Sequence, residues 1–147
     1  MTLETLFSIC NFGVLPAWLL LAVAPGWAWT QRLVHAAWIP FLLGAVYVYA
    51  FLTSPGAPDG ASFFTLPGVM ALFTVPQIAL AGWVHYLVFD LFVGAWEVRD
   101  ARARGVPSMA VRPCLLFTLL FGPIGLALYL AVRLGWARTF ALEERTA

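Results

Sequence analysis

Two ionisable side chains interrupt the most apolar part of this sequence. In Gly82–Trp96, "GWVHYLVFDLFVGAW", His85 and Asp90 stand among aliphatic and aromatic residues. An imidazole and a carboxyl are common carriers of general acid–base chemistry, one accepting and the other donating a proton. A carboxyl at the centre of a membrane helix costs about 2.5–3.5 kcal/mol on insertion scales, so Asp90 is expected to face protein or trapped water. Helical geometry separates the pair: at roughly 100° per residue, positions five apart point about 140° away from each other. Asp90 shares a stripe with Trp83, Tyr86, Gly94 and Glu97, whereas His85 shares another with Gly82, Phe89 and Trp96. One substrate meets both only if the helix is distorted or the substrate wraps around it. Interhelical hydrogen bonding, worth about 0.6 kcal/mol on average, is the competing role for both. Asp90 is the stronger functional candidate, because such bonding seldom requires an ionisable group.

The elements that must hold these residues follow from composition. Of 147 residues, 63% are hydrophobic and 10% charged, with a mean hydropathy of +0.90. Soluble domains are about half apolar and about a quarter charged. A chain of 16.1 kDa could not hide this much apolar surface from water, so the bilayer is the expected solvent. The eight basic residues are all Arg, against seven acids, for a net charge of +1. That balance offers no basic tract to nucleic acid and no acidic interaction tail. Cys10 and Cys114 lie in apolar runs without zinc spacing and read as small buried hydrophobes.

The expected fold is all-α: a single membrane domain, residues 1–147, forming a bundle of four transmembrane helices. A span needs about 20 predominantly apolar residues. Spans are placed at about 6–24, 33–52, 76–96 and 114–132, with a polar, solvent-exposed loop at 97–113 and a short charged tail at 133–147. Pro25 and Gly26 end the first run, and Trp27 and Trp29 suit the headgroup region. A bend is expected at Gly122–Pro123. On this plan Arg32, Arg99, Arg102, Arg104 and Arg112 share one side, and Arg133, Arg138 and Arg145 the other. The positive-inside rule then points to a cytoplasmic 97–113 loop with both termini opposite. The N-terminus lacks the basic region of a signal peptide, so the first run is expected in the mature protein.

Several chemistries are excluded. Two histidines are too few for a membrane di-iron site, and His35 and His85 fall at different depths, which argues against a bis-His haem. HExxH, CxxC, GxSxG and phosphate-loop patterns are absent. The inventory suits proton chemistry on a lipophilic substrate, with no metal and no redox cofactor. His35 reads as an interfacial residue, and Asn11 as a partner for Asp90 or His85. Pro16 reads as a kink or the opening of a small polar pocket.

Three motifs carry a family resemblance. "NFGVLPAWLLLAVAPGWAWT" (Asn11–Thr30) has Asn before Leu-Pro-x-Trp, then Pro-x-Trp-x-x-Thr. "WVHYLVFDLFVGAW" follows with Trp, His, Tyr and Asp, and "FGPIGLALYL" supplies Gly-Pro-hydrophobe-Gly. Over about Leu6–Arg133 the chain resembles the neoxanthin-synthase-like family, the plant abscisic-acid-deficient-four proteins and their bacterial relatives. The resemblance implies a four-helix membrane protein of carotenoid biosynthesis, tied in plants to making neoxanthin from violaxanthin. That step is an epoxide-to-allene isomerisation without net redox change. It needs an acid at the epoxide oxygen and a base at the neighbouring vinylic carbon. Asp90 is assigned the first role and His85 the second, with Asn11, Trp18, Trp83 and Tyr86 assigned to substrate binding. Without a transit peptide, the chain is expected in a bacterial cytoplasmic (inner) membrane. The competing reading is a non-catalytic subunit that holds a carotenoid or a partner enzyme. A proton-coupled transporter ranks lower, because no internal repeat is present. A homodimer would help enclose a long polyene.

Overall fold

The computed structural model describes residues 2–139 and Ala141, and among these the chain is all-helical. Three stretches are long and apolar enough to cross a membrane: Leu3–Val23, Ala28–Leu52 and Pro76–Ala103. The first comprises α1 (Leu3–Gly13) and α2 (Leu15–Val23). The second comprises α3 (Ala28–Thr30), one π-helical turn (Gln31–His35) and α4 (Trp38–Leu52). A short α5 (Leu66–Leu72) precedes the third, α6 (Pro76–Ala103), and α7 (Ser108–Phe121) and α8 (Pro123–Ala137) close the fold.

The chain packs as two compact units, and α6 passes from one into the other after Val88. The first unit holds Met1–Val14 and Ile39–Val88. Its α1 is capped by Thr2, whose hydroxyl accepts from the Thr5 amide at 3.1 Å and so satisfies one free N–H of the first turn. Thr65 does the same for α5, accepting from Gly68 at 3.2 Å. Leu6, Cys10, Leu43, Leu72, Leu80 and Val84 are buried in this unit.

The second unit holds Leu15–Trp38 and the chain from Phe89 onward. Its entry corner explains the Pro-x-Trp-x-x-Thr motif: Thr30 is fully buried and donates its hydroxyl to the Ala24 carbonyl at 2.7 Å, closing the turn made by Pro25 and Gly26.

Two expectations are corrected in this unit. The segment 114–132, read as a fourth span with a bend, belongs to a helical hairpin. α7 has 14 residues and α8 has 15, each short of the ~20 that a span requires. The chain reverses at Gly122, with φ 48° and ψ −95°, a conformation that a side chain would strain. Pro123 opens α8, where a missing N–H costs nothing. A Cβ at Gly125 would fall inside the Thr118 backbone, so only glycine lets the two arms close there. Both arms run beside α6. Asp90 lies at Gly122, Glu97 at Thr118, and Asp100 at Tyr129 and Arg133.

The second correction concerns 97–113, read as an exposed loop. α6 continues to Ala103 and α7 begins at Ser108, leaving 104–107 as the connection. Glu97, Asp100 and Arg104 are kept from solvent by partners within the unit, while Arg99, Arg102 and Arg112 are exposed as expected. Glu97 is fully buried, and Asp100 pairs with Arg104 at 2.8 Å and Arg133 at 3.0 Å. The hairpin also corrects the side assigned to the C-terminal arginines: Arg133 returns to the end of α6 that carries Arg99 and Arg104. Arg145, like residue 140 and the rest of the tail from 142, lies outside the described residues.

Gly125→Ala is therefore expected to break the hairpin, since overpacking against backbone costs about 1–3 kcal/mol or more. A lower thermal unfolding midpoint in detergent would show it. Gly135→Ala, on the same helix with nothing within 4 Å of a new Cβ, is expected to leave that midpoint unchanged or raise it.

Candidate functional site

The second half of α6 carries three acids on the side that meets the hairpin. Asp90 is half-buried, and its carboxylate lies so close to the turn that a Cβ on Gly122 would be 2.7 Å from Oδ1. Glu97, seven residues on and therefore on the same face, accepts a hydrogen bond from Thr118 Oγ1 at 2.9 Å through Oε1. Its Oε2 is buried and has no hydrogen-bond partner among the described residues. Asp100 lies nearly a turn further and accepts from the Tyr129 hydroxyl at 2.6 Å. Arg133 is fully buried and stands over the Trp96 ring at 5.9 Å, and Trp96 meets Tyr129 edge-on at 5.4 Å.

Between Asp90 and Glu97, Gly94 supplies a gap for Trp18. A Cβ there would be 2.6 Å from the indole, which is why the stripe can pass under a ring of that size. On the flank of the carboxyl row, Phe92, Val93, Trp96, Leu126 and Leu130 line an open apolar groove of about 270 Å³. The unit thus combines acids kept from solvent with an adjacent surface suited to hydrocarbon. A proton can be delivered there from protein rather than from bulk water.

The remaining predicted residues belong to the first unit. Trp83 donates its indole N–H to Asn11 Oδ1 at 3.1 Å, and its ring lies 5.8 Å from Phe7 and 5.4 Å from Tyr86. Asn11 is thus paired with Trp83, not with the expected Asp90 or His85. His85 is exposed, with its ring 6.1 Å from Tyr47. Asn11, Trp83 and Tyr86 are therefore brought together, and in the second unit Trp18 meets Gly94 and Asp90 meets Gly122. α6 is helical without interruption through residues 85–90, so no distortion offsets the angular separation of His85 and Asp90. His35 receives Arg99 Nη1 at 3.3 Å on its Nδ1.

Sequence reasoning missed Asp100, Tyr129 and Arg133, and placed Glu97 at an edge. A usable signal existed. The α6 stripe of Asp90, Gly94 and Glu97 continues at helical spacing past Trp96, and Asp100 and Arg104 stand at i,i+4.

Fold and site together define an all-helical, strongly apolar protein with carboxyls sequestered beneath a short helical hairpin. The chain belongs to the ABA DEFICIENT 4-like family, whose model matches residues 5–129. It is similar to Protein ABA DEFICIENT 4, chloroplastic, of Arabidopsis thaliana, with 26% identity over 131 residues. That similarity covers 84% of this chain and 58% of the relative, so the chain spans little more than half the relative's length. No solved structure matches the chain.

Proposed function

We propose that this chain is an integral membrane protein that isomerises a carotenoid or related isoprenoid lipid by acid–base chemistry, without net redox change. The observation that carries the reading is Asp90, a half-buried carboxyl at the hairpin turn beside an apolar groove, in a chain of the ABA DEFICIENT 4-like family. Three spans cross the bilayer, and the α7–α8 hairpin enters and leaves from one side. The described arginines of the second unit lie at that side, which the positive-inside rule makes cytoplasmic in a bacterial inner membrane.

For an epoxide substrate, Asp90 gives its proton to the epoxide oxygen as the C–O bond breaks. A base removes the proton from the neighbouring vinylic carbon, and the released electron pair forms the second double bond of the allene. Glu97 is the acceptor available in the unit of Asp90. His85, in the other unit, is the alternative that the sequence favours. The polyene lies along Phe92, Trp96 and Leu126, where rigid apolar side chains exclude water without needing to recognise polar groups.

The test is expression in hosts that make epoxy-carotenoids or cyclic carotenoids, with pigments separated by chromatography and mass spectrometry. A product of unchanged mass and altered retention is expected. Unchanged pigments in both hosts would sink the proposal. Pigment that co-purifies unconverted would make the chain a carotenoid holder instead.

A further inference from the structure

We infer a second binding site, for the phosphate headgroup of an anionic phospholipid, at the arginine-bearing end of the second unit. A cavity of about 80 Å³ opens there between α2, α6 and α7. Its floor is apolar, with Leu21, Val98 and Leu115, and its rim carries Arg102, Arg112 and Ser108. The two guanidiniums reach the same corner from different helices. Arg112 donates Nε to the Ala22 carbonyl at 3.1 Å, which fixes its plane. Arg102 brings Nη1 to 3.9 Å from the place of a Cβ on Gly26.

Charge decides what fits. Among the described residues the ion pairs are Arg104–Asp100 and Arg133–Asp100, so neither Arg102 nor Arg112 is matched by a carboxylate. Arg102 offers its planar fork to phosphate oxygens, and Arg112, with Nε on Ala22 and Nη1 on Met109 Sδ at 3.1 Å, adds Nη2 and a fixed positive charge beside the Ser108 hydroxyl. The apolar floor adds a second requirement, since a bare anion would leave it wet. A phospholipid satisfies both, and basic pockets between membrane helices are a recurrent place for anionic headgroups. The depth also agrees: Trp27 and Trp29 are exposed at the same corner, and Arg32 lies 5.8 Å over the Trp29 ring, in the manner of an interfacial belt.

The test uses the full chain in neutral detergent, titrated with short-chain phosphatidylglycerol, phosphatidylcholine of the same chain length, and inorganic phosphate. Bound ligand is counted by native mass spectrometry. One phosphatidylglycerol per chain is expected, held more tightly than phosphatidylcholine. Arg102→Gln should weaken it roughly fivefold, the effect of about 1 kcal/mol per surface arginine. Ser108→Asp should weaken it further by setting a like charge at the rim. Arg99→Gln, whose guanidinium contacts His35 and not the cavity, should bind as the parent does. Equal binding of the two lipids would overturn the inference, as would equal losses in Arg99→Gln and Arg102→Gln. Inorganic phosphate saturating the site as readily as the lipid would also overturn it, leaving an anion site without a lipid. All these variants alter exposed side chains, and unchanged unfolding midpoints would confirm that the fold is intact.

Discussion

Asp100→Ala is expected to remove about 3–5 kcal/mol from the second unit, the usual cost of stripping one partner from a buried ion pair. The carboxylate accepts from Arg104 Nε at 2.8 Å on one oxygen and from the Tyr129 hydroxyl at 2.6 Å on the other, which also forms an ion pair with Arg133 at 3.0 Å. Arg133 has no exposure, so the variant leaves its guanidinium in an apolar interior without its counter-charge. The loss should appear as a lower unfolding midpoint by circular dichroism in detergent. Asp100→Ala combined with Arg133→Leu should recover much of it, because the double variant leaves neither charge buried. A single variant that unfolds within about 1 kcal/mol of the parent would show the pairing to be worth no more than a surface salt bridge.

Asp90→Asn is expected to abolish conversion while leaving the protein inserted and folded. Asparagine keeps the shape that packs at Gly122 but cannot deliver a proton to an epoxide oxygen. General acid catalysis contributes roughly 10²–10⁴-fold, and a loss in that range should be seen in pigment turnover. The unfolding midpoint should stay near that of the parent. Full turnover in Asp90→Asn would reduce the residue to a packing role. The same assay separates the two candidate bases. If Glu97 accepts the proton, Glu97→Gln should lose turnover comparably, and Thr118 can still donate to the amide oxygen, so the fold survives. His85→Ala should then show a smaller effect. The reverse order would return the base to His85.

The sequence carried the stripe along α6, because a period near 3.6 is a local property and α6 is a regular helix. It did not reveal where that helix ends. Glu97, Asp100 and Arg104 read as exposed because hydropathy counts charges without their partners, whereas Arg99 and Arg102 are exposed as read. The partner that buries Asp100 is Arg133, from another helix. The break at Gly122 was equally visible, but a glycine before a proline says only that a helix stops. How far the chain turns depends on Gly125 meeting Thr118, a contact between two arms that no local pattern encodes. Asn11 shows the same limit. Its need for a partner was legible, but the choice of the Trp83 indole over two ionisable groups was made by packing between α1 and α6.

The burial of Arg133 also bears on how the protein is made. Apart from α6, the hairpin would carry a buried guanidinium without its counter-charge, held only by the Ala141 carbonyl that accepts from Nη2. The receiving carboxylate, Asp100, belongs to a helix synthesised earlier. Settling of α7 and α8 is therefore expected to wait on α6, and the order of residues along the chain becomes an order of assembly. The hairpin, made after α6, is the element that settles only once its neighbour is in place.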